Sequence, residues 1–113
     1  MTLMPLVVNG REFATDKDGY LVHREEWSPT VAEALATQEQ ITLTPEHWEI
    51  LELLREFYHQ YELAPAMRPL VKQVALKLGP DKGRSIYLMQ LFPPSPAKVA
   101  SKIAGLPRPT NCL

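Results

Sequence analysis

The sequence has little of what most catalytic or membrane-bound chains depend on. It has a single cysteine in 113 residues, so it cannot form an internal disulfide or supply a zinc site built from several cysteines. It has no Gly-rich phosphate loop, no assignable Ser/His/Asp spacing and no cluster of metal ligands. It also has no charged-then-apolar leader and no apolar run of about eighteen residues. We therefore expect a cytoplasmic protein with no membrane span, no metal and no separate cofactor.

Proline, by contrast, is abundant, and its positions predict where helices begin. Three of the 11 prolines directly follow a hydroxyl residue, in the pairs Ser28-Pro29, Thr44-Pro45 and Ser95-Pro96. Ser or Thr is favoured at the N-cap and proline at the first helical position. At 113 residues the chain has the size of one domain with one hydrophobic core.

The first residues predict a small sheet. Two short segments, Leu6-Val7-Val8 and Arg11-Glu12-Phe13, flank Asn9-Gly10, a strong signal for a two-residue hairpin turn. Asp18-Gly19 forms a second turn signal, and residues 20–22 after it suit a further short strand.

The rest of the sequence predicts five helices. The first runs from Ser28-Pro29 through Thr37, and the second and longest begins at Thr44-Pro45. The third spans residues 67–78, the fourth spans residues 82–92, and the fifth runs from Ser95 to a stop at Gly105. We expect the fourth helix to be buried through Ile86, through Leu88 or Met89, and through Leu91-Phe92. The broad apolar stripe of the long second helix predicts a central position in the core, and its members are Trp48, Ile50, Leu51, Leu53, Leu54, Phe57, Tyr58 and Tyr61.

Together these elements predict a mainly α (α+β) fold, a compact helical bundle with an N-terminal β-hairpin. We assign residues 1–105 to the domain and residues 106–113 to a mobile C-terminal arm. Pro107 and Pro109 fix their own φ angles and favour an extended, semi-rigid spacer. Seven residues from Leu106 to Cys112 reach roughly 23–25 Å. The thiol of Cys112 is therefore expected at the end of an arm, where a lone cysteine is either a functional group or an incidental exposed thiol.

The arm also carries a family resemblance. Its sequence, Lys102-Ile-Ala-Gly-Leu-Pro-Arg-Pro-Thr-Asn-Cys-Leu113, resembles the C-terminal signature of the DsrC/TusE family of small sulfur-carrier proteins. Segments within residues 18–21, 43–48, 65–71 and 87–93 resemble the same family, so the match covers nearly the whole chain. The resemblance implies that Cys112 is the functional group, which accepts a persulfide and passes it on.

One departure from the family pattern is informative. Members that serve dissimilatory sulfite reductase carry a second cysteine eleven positions before the penultimate one, and that position is Ser101 here. Ser101 is either a helix-surface residue that replaces the second redox cysteine or a simple filler on the side of the helix that it shares with Ala97, and the two interpretations are compatible. The resemblance then favours the TusE branch, which relays sulfur towards tRNA 2-thiouridine. A single-cysteine DsrC-like paralogue in sulfur oxidation, sulfite reduction or its regulation is the alternative.

The resemblance also implies partners for this relay. The donor is expected to resemble the TusBCD or DsrEFH complexes or a rhodanese, and the acceptor a tRNA 2-thiouridylase or a sulfite-reductase-type enzyme. The protein would then be a sulfurtransferase-type co-substrate without independent turnover. Only the persulfide sulfur would be bound, covalently, on Cys112.

Charge is divided between the two halves of the chain. Residues 1–62 carry four basic and twelve acidic residues, a net charge of −8, whereas residues 63–113 carry eight basic residues and Asp81, a net charge of +7. Either these charges only solvate helix surfaces, or the basic half docks an acidic partner or sulfur-bearing anion or lies near RNA phosphates. Residues that would form such a docking surface are Arg84, Lys98, Lys102 and Arg108. Lys102 and Arg108 favour a lower pKa of Cys112 and the Leu113 carboxylate opposes them, so the sequence leaves the direction of the shift open.

A different class of function has one supporting pattern. Residues 67–92 combine two predicted helices, a Gly-Pro-Asp turn and five basic residues, which is typical of a helix-turn-helix DNA reader. Few polar residues beyond Arg84, Ser85 and Gln90 are available to read bases, and a DNA role leaves the Cys112 arm unexplained. We therefore expect no direct nucleic-acid binding. The three histidines, His23, His47 and His59, are dispersed and are expected to be structural or exposed.

Overall fold

The computed structural model of the protein describes residues 6–109, and its chain begins with the predicted hairpin. Strands β1 (Leu6–Val8) and β2 (Arg11–Phe13) pair antiparallel, with Leu6 opposite Phe13. The turn between them holds Asn9 and Gly10 at φ 51° and 81°, the positive values that a type I′ turn requires. The predicted third strand is reduced to one bridge between Thr15 and Leu21.

A short 3-10 turn at Arg24–Glu26 precedes five α-helices, which confirm the predicted order. They are α1 (Pro29–Gln38), α2 (Pro45–Tyr61), α3 (Met67–Leu78), α4 (Ser85–Leu91) and α5 (Pro96–Ile103). All three hydroxyl-proline pairs begin a helix, as predicted. Ser28 caps α1 through its side chain, which accepts a hydrogen bond from the backbone N–H of Val31 at 3.2 Å, whereas the Ser95 side chain makes no capping bond.

Helices α2 and α5 form the centre of the bundle. Helix α5 contacts α1, α2, α3 and α4, and six of its eight residues are buried. Helix α2 contributes the buried residues His47, Ile50, Leu51, Leu53 and Leu54. His47 is structural, as expected of the histidines, because its Nδ1 accepts the Thr44 backbone N–H at 3.0 Å and its Nε2 lies 2.8 Å from the Leu91 carbonyl oxygen.

Two side chains predicted to be buried are exposed instead: Ile86 is 67% exposed and Tyr61 51%. Of the alternatives Leu88 and Met89, Leu88 is buried, at 0%, and Met89 is 43% exposed. Phe92, just past the helix end, is buried as predicted, also at 0%. An apolar residue in a short amphipathic helix is buried only where a neighbour covers it, and local periodicity does not reveal that neighbour.

The predicted start of α4 at residue 82 is wrong by three residues. The backbone N–H groups of Lys82 and Gly83 both donate to the Gly79 carbonyl oxygen at 3.1 Å, which closes a turn in place of a helix. Gly83 lies so close to α3 that a Cβ there would meet the Ala75 Cβ at 2.3 Å. The absence of a side chain at Gly83 therefore lets the turn before α4 pack closely against α3.

Within residues 6–109, no helix has the length and apolar content needed to cross a membrane. The first four residues of the predicted arm, residues 106–109, lie within the described part of the chain. Leu106 is only 2% exposed, and Pro109 is also buried. The mobility of the arm stays a prediction, since its last four residues lie outside the described residues.

Candidate functional site

The site of interest is the point where the chain leaves α5 towards Cys112, which itself lies outside the described residues. Gly105 has φ 75°, a left-handed conformation that glycine adopts without strain. The Leu106 N–H donates to the Ser101 carbonyl oxygen at 2.9 Å, and the Gly105 N–H donates to that of Lys102 at 3.1 Å. This pattern is a Schellman motif, so the predicted glycine stop is confirmed and fixes the direction of the chain after α5.

Two side chains from earlier in the chain, Trp27 before α1 and Arg55 on α2, contact this helix end. The indole N–H of Trp27 donates to the Ile103 carbonyl oxygen at 2.9 Å, and the Arg55 guanidinium donates to that of Ala104 at 2.7 Å. The Arg55 guanidinium also stacks over the Trp27 ring at 3.8 Å. Burial lowers the pKa of Arg55, yet a guanidinium stays protonated at neutral pH. The positive charge of Arg55 at the carboxyl end of α5 interacts favourably with the helix dipole.

Just beyond the helix end, Arg108 forms an ion pair with the Asp16–Asp18 turn, which follows the hairpin. Its guanidinium donates to Asp16 Oδ2 at 3.0 Å and to an Asp18 carboxylate oxygen, and it lies 4.8 Å from the centre of the Tyr20 ring. Asp16 is itself held, because its Oδ1 accepts the backbone N–H groups of Asp18 and Tyr20 at 2.9 and 3.0 Å. We call Trp27, Arg55, residues 101–108 and the Asp16–Asp18 turn the α5 root.

The charge of Asp16 reflects these contacts. Burial raises its pKa, but the N–H groups of Tyr20 and Asp18 and the cationic Arg108 outweigh burial, so the pKa of Asp16 lies below its ordinary value. The pKa of Arg108 is raised, chiefly by its hydrogen bond to Asp18. Both groups are therefore ionised at neutral pH and form an ion pair.

A cleft of about 350 Å³ opens beside this ion pair. It is lined by Asp18, Tyr20, Lys98, Lys102, Arg108 and Pro109. The Lys102 ammonium pairs with Glu39 at 3.1 Å and lies 5.4 Å from the Tyr20 ring centre, and the Tyr20 hydroxyl donates to the Lys98 carbonyl oxygen at 3.3 Å. The structure thus brings together three of the predicted docking residues, Lys98, Lys102 and Arg108, at the foot of the arm.

The remaining predicted residues fall elsewhere. Arg84 is the N-cap residue of α4 and does not line this cleft. Ser101 is fully buried in α5, and among the described residues its Oγ has no hydrogen-bond partner. Ser101 is therefore a core residue, not a helix-surface residue. The proposed roles of all these residues in docking, and of Cys112 in chemistry, stay predictions.

The division of charge along the chain has an internal explanation that sequence reasoning missed. Four basic residues of the second half pair with carboxylates of the first half: Lys77 with Glu56, Lys82 with Glu49, Lys102 with Glu39, and Arg108 with Asp16 and Asp18. These pairs join segments that are far apart in sequence. Half of the basic residues of this half are thus matched inside the fold, and Lys102 and Arg108 are already engaged with carboxylates.

Trp27, Arg55 and Asp16 are the site residues that the sequence analysis did not single out. One local signal was present for Trp27, which directly precedes the Ser28-Pro29 helix start. Asp16 also carried a signal, since Asp followed two residues later by Asp-Gly is typical of a turn that binds its own backbone. No group of three or more metal-ligating side chains occurs in the described part of the chain.

Comparison with known proteins gives a match over nearly the full length. Residues 7–113 match the family model described as DsrC like protein. The protein "Sulfurtransferase TusE homolog" of Haemophilus influenzae is 54% identical over 108 residues, which cover 96% of this chain and 99% of the relative. "Sulfurtransferase TusE" of Escherichia coli is 48% identical over 108 residues, with the same coverage of both chains.

Solved structures agree with the sequence comparisons. The NMR structure of DsrC from Allochromatium vinosum matches with a TM-score of 0.88 and 50% identity, over 96% of this chain and 97% of that chain. The crystal structure of the oxidised gamma-subunit of the dissimilatory sulfite reductase (DsrC) from Archaeoglobus fulgidus matches with a TM-score of 0.84 and 43% identity, over 97% and 100%. The predicted bundle with an N-terminal hairpin is thereby confirmed as a known architecture.

Proposed function

The chain belongs to the DsrC-like protein family, and from that membership we propose that it is a TusE-type sulfur carrier whose working group is the Cys112 thiol. The observation that carries this proposal is the near full-length similarity to proteins named sulfurtransferase TusE. The relay it serves is sulfur delivery for 2-thiouridine in tRNA. The described part of the fold supports such a role, because the turn at Gly105 and the contacts of Arg108 fix the direction in which the chain leaves α5.

The chemistry is one thiol exchange. The Cys112 thiolate attacks the outer sulfur of a donor cysteine persulfide, a Cys112–sulfur bond forms, and the donor S–S bond breaks. The donor leaves as a thiolate, and Cys112 becomes a persulfide that keeps the proton of the transferred sulfur. An acceptor thiolate then takes this sulfur in the same way, which restores the Cys112 thiolate. No net oxidation occurs, so no metal or separate cofactor is needed.

The proposed donor is a TusBCD-like or DsrEFH-like sulfurtransferase complex or a rhodanese, and the proposed acceptor is a tRNA 2-thiouridylase. The protein then acts as a co-substrate of both enzymes. We place it in the cytoplasm, where reducing conditions keep a lone thiol from forming disulfides.

Ser101 supports the one-thiol mechanism. This position carries no thiol, and its hydroxyl is buried inside α5, so Cys112 has no partner in this chain with which to form a disulfide. Similarity to the DsrC structures favours a second candidate, a single-cysteine DsrC-like protein that serves sulfite reduction, sulfur oxidation or its regulation. The two candidates share the persulfide step and differ only in the acceptor.

The deciding experiment is intact-mass measurement after the reduced protein is incubated with a persulfide donor. We expect the wild type to gain the mass of one sulfur atom and to lose it with a reductant, while Cys112→Ser gains nothing. Loaded protein is then offered to a tRNA 2-thiouridylase and, separately, to a sulfite-reductase-type acceptor. Absence of a mass gain with every donor, including a dedicated sulfurtransferase, would refute the carrier role.

A further inference from the structure

The basic residues of the second half that lack an internal ion pair are not spread evenly. Among the described residues, Arg68, Lys72, Arg84 and Lys98 form no salt bridge, whereas the other four basic residues of this half each do. Arg68 and Lys72 lie one helical turn apart on α3, and Arg84 opens α4. The only carboxylate side chain of residues 63–113 is Asp81, so these helices carry positive charge that is not neutralised locally.

The same two helices expose large apolar side chains. Leu76 on α3 is 69% exposed, and Ile86 and Met89 on α4 are 67% and 43% exposed. Leu76 follows Lys72 by four residues, and Met89 follows Ile86 by three, so each pair shares one side of its helix. We call Arg68, Lys72, Leu76, Arg84, Ile86 and Met89 the α3–α4 face.

A groove joins this face to the helix that leads to the arm. It has a volume of about 460 Å³, and its lining includes Met67, Arg68, Met89, Pro96 and Lys98. Lys98 also lines the cleft beside Arg108. Arg68 and Met89 of the α3–α4 face thus line a groove that shares Lys98 with the cleft beside Arg108.

We propose that the α3–α4 face is the docking surface for a protein partner of the sulfur relay, one that presents carboxylates around an apolar patch. Exposed apolar side chains surrounded by charge are typical of a protein interface. The cations would steer and orient a partner of opposite charge, and the apolar side chains would be buried on contact. The identity of the partner rests on the proposed function.

The composition of the face favours a protein over a nucleic acid. Half of its six residues are large and apolar, and such side chains gain little beside phosphates, which are contacted chiefly by Arg, Lys and polar groups. Two further lysines of this region, Lys77 and Lys82, are held by Glu56 and Glu49 of α2. Two of the five basic residues of the helix-turn-helix pattern, Lys77 and Lys82, are thus already paired with carboxylates of the same domain.

The test compares exposed basic residues on and off the face. Lys72 and Arg24 are both exposed, and neither forms a salt bridge with a described residue, so Lys72→Glu and Arg24→Glu change the net charge equally. Binding to a purified TusBCD-like donor complex and to a tRNA 2-thiouridylase is measured by titration calorimetry. We expect Lys72→Glu to weaken binding to at least one of these proteins about fivefold or more, and Arg24→Glu to stay within about twofold of wild type.

A second pair of variants tests the apolar part of the face. Leu76→Ser removes a face residue, and Val7→Ser removes a 58% exposed apolar residue of the hairpin. We expect a similar loss of binding for Leu76→Ser only, with unchanged thermal unfolding in both variants. Equal binding by all four variants to both proteins would overturn the proposal, as would loss of binding to an unmodified tRNA transcript with protein binding intact.

Sulfur loading separates this proposal from the function it builds on. Loading of Cys112 by inorganic polysulfide needs no docked protein, so wild type and Lys72→Glu should load at the same rate. Absence of loading in wild type would refute the carrier role and leave the binding comparison valid. Normal loading with unaltered binding would refute the docking surface alone.

Discussion

The α5 root and the α3–α4 face use the same residue types in opposite ways. At the root, Arg55 and Arg108 are engaged by carbonyl oxygens and carboxylates of the same chain, and an indole is partly covered. On the face, Arg68 and Lys72 have no such carboxylate among the described residues, and three apolar side chains are open to solvent. A cationic side chain therefore stabilises the fold where the chain supplies a carboxylate or carbonyl oxygen for it. Where the chain supplies none, the side chain is available to another molecule.

The comparison predicts that changes at the root alter stability, and the largest effect is expected at Gly105. A Cβ at this position would meet the Trp27 ring at 2.4 Å, and the backbone has φ 75°. Gly105→Ala therefore combines backbone strain with a steric clash, and we expect the free energy of unfolding to fall by roughly 2–4 kcal/mol. Chemical denaturation measures this loss.

Gly10→Ala is the matched control. Gly10 has a similar φ of 81°, but a Cβ added there would have no neighbour within 4 Å, so only the backbone cost of about 1 kcal/mol remains. Equal losses in both variants would mean that Trp27 does not confine the helix end.

Trp27→Phe is expected to have the next largest effect. It removes the hydrogen bond to the Ile103 carbonyl oxygen and part of the ring under Arg55, and we expect a loss of about 1–2 kcal/mol. Trp48→Phe is the control, because Trp48 is similarly half-buried and forms no hydrogen bond with a described residue through its indole. A loss no greater than that of Trp48→Phe would show that the Trp27 hydrogen bond adds nothing.

Ser101→Ala should change stability in the opposite direction. The buried Oγ has no partner among the described residues, and a buried polar group without a hydrogen bond is costly. We expect the variant to be more stable by about 1 kcal/mol and to load sulfur on Cys112 as wild type does. A destabilised variant would instead reveal a hydrogen bond to this hydroxyl.

The smallest effect is expected at Asp16. Its folded-state pKa is lowered, so its contribution is fully present above the unfolded pKa of about 3.9 and is lost as the pH falls through the lower folded value. Asp16→Asn should cost less than about 1 kcal/mol at pH 7, since the ion pair is partly exposed, and the difference from wild type should shrink below about pH 4. A difference between Asp16→Asn and wild type that stays the same from pH 7 to below pH 4 would contradict this account.

The sequence predicted local structure well and long-range contacts poorly. The hairpin turn at Asn9-Gly10, the three proline-marked helix starts and the Gly105 stop are confirmed because their causes lie within a few residues. Ile86 was wrongly predicted as buried, since the periodicity of a short helix does not show which side is covered.

The α5 root was missed for a related reason. The Trp27 bond to Ile103 spans 76 positions and the Arg108 bond to Asp16 spans 92, and no local pattern encodes such pairs. The position of Lys98, Lys102 and Arg108 around one cleft followed only partly from helical spacing. The family resemblance identified Cys112, which no composition or periodicity argument could have distinguished from an incidental thiol.

In the predicted mobile arm, the ion pair of Arg108 would shorten the tether of Cys112. Counted from the buried Leu106, six residues lead to Cys112 and span at most roughly 20–22 Å; counted from Arg108, four residues span roughly 13–14 Å. A sphere of the shorter radius has only about a third of the volume, and confinement raises the effective concentration of a tethered group within its range. While they hold Arg108, Asp16 and Asp18 would thus limit the volume that a mobile Cys112 thiol can search.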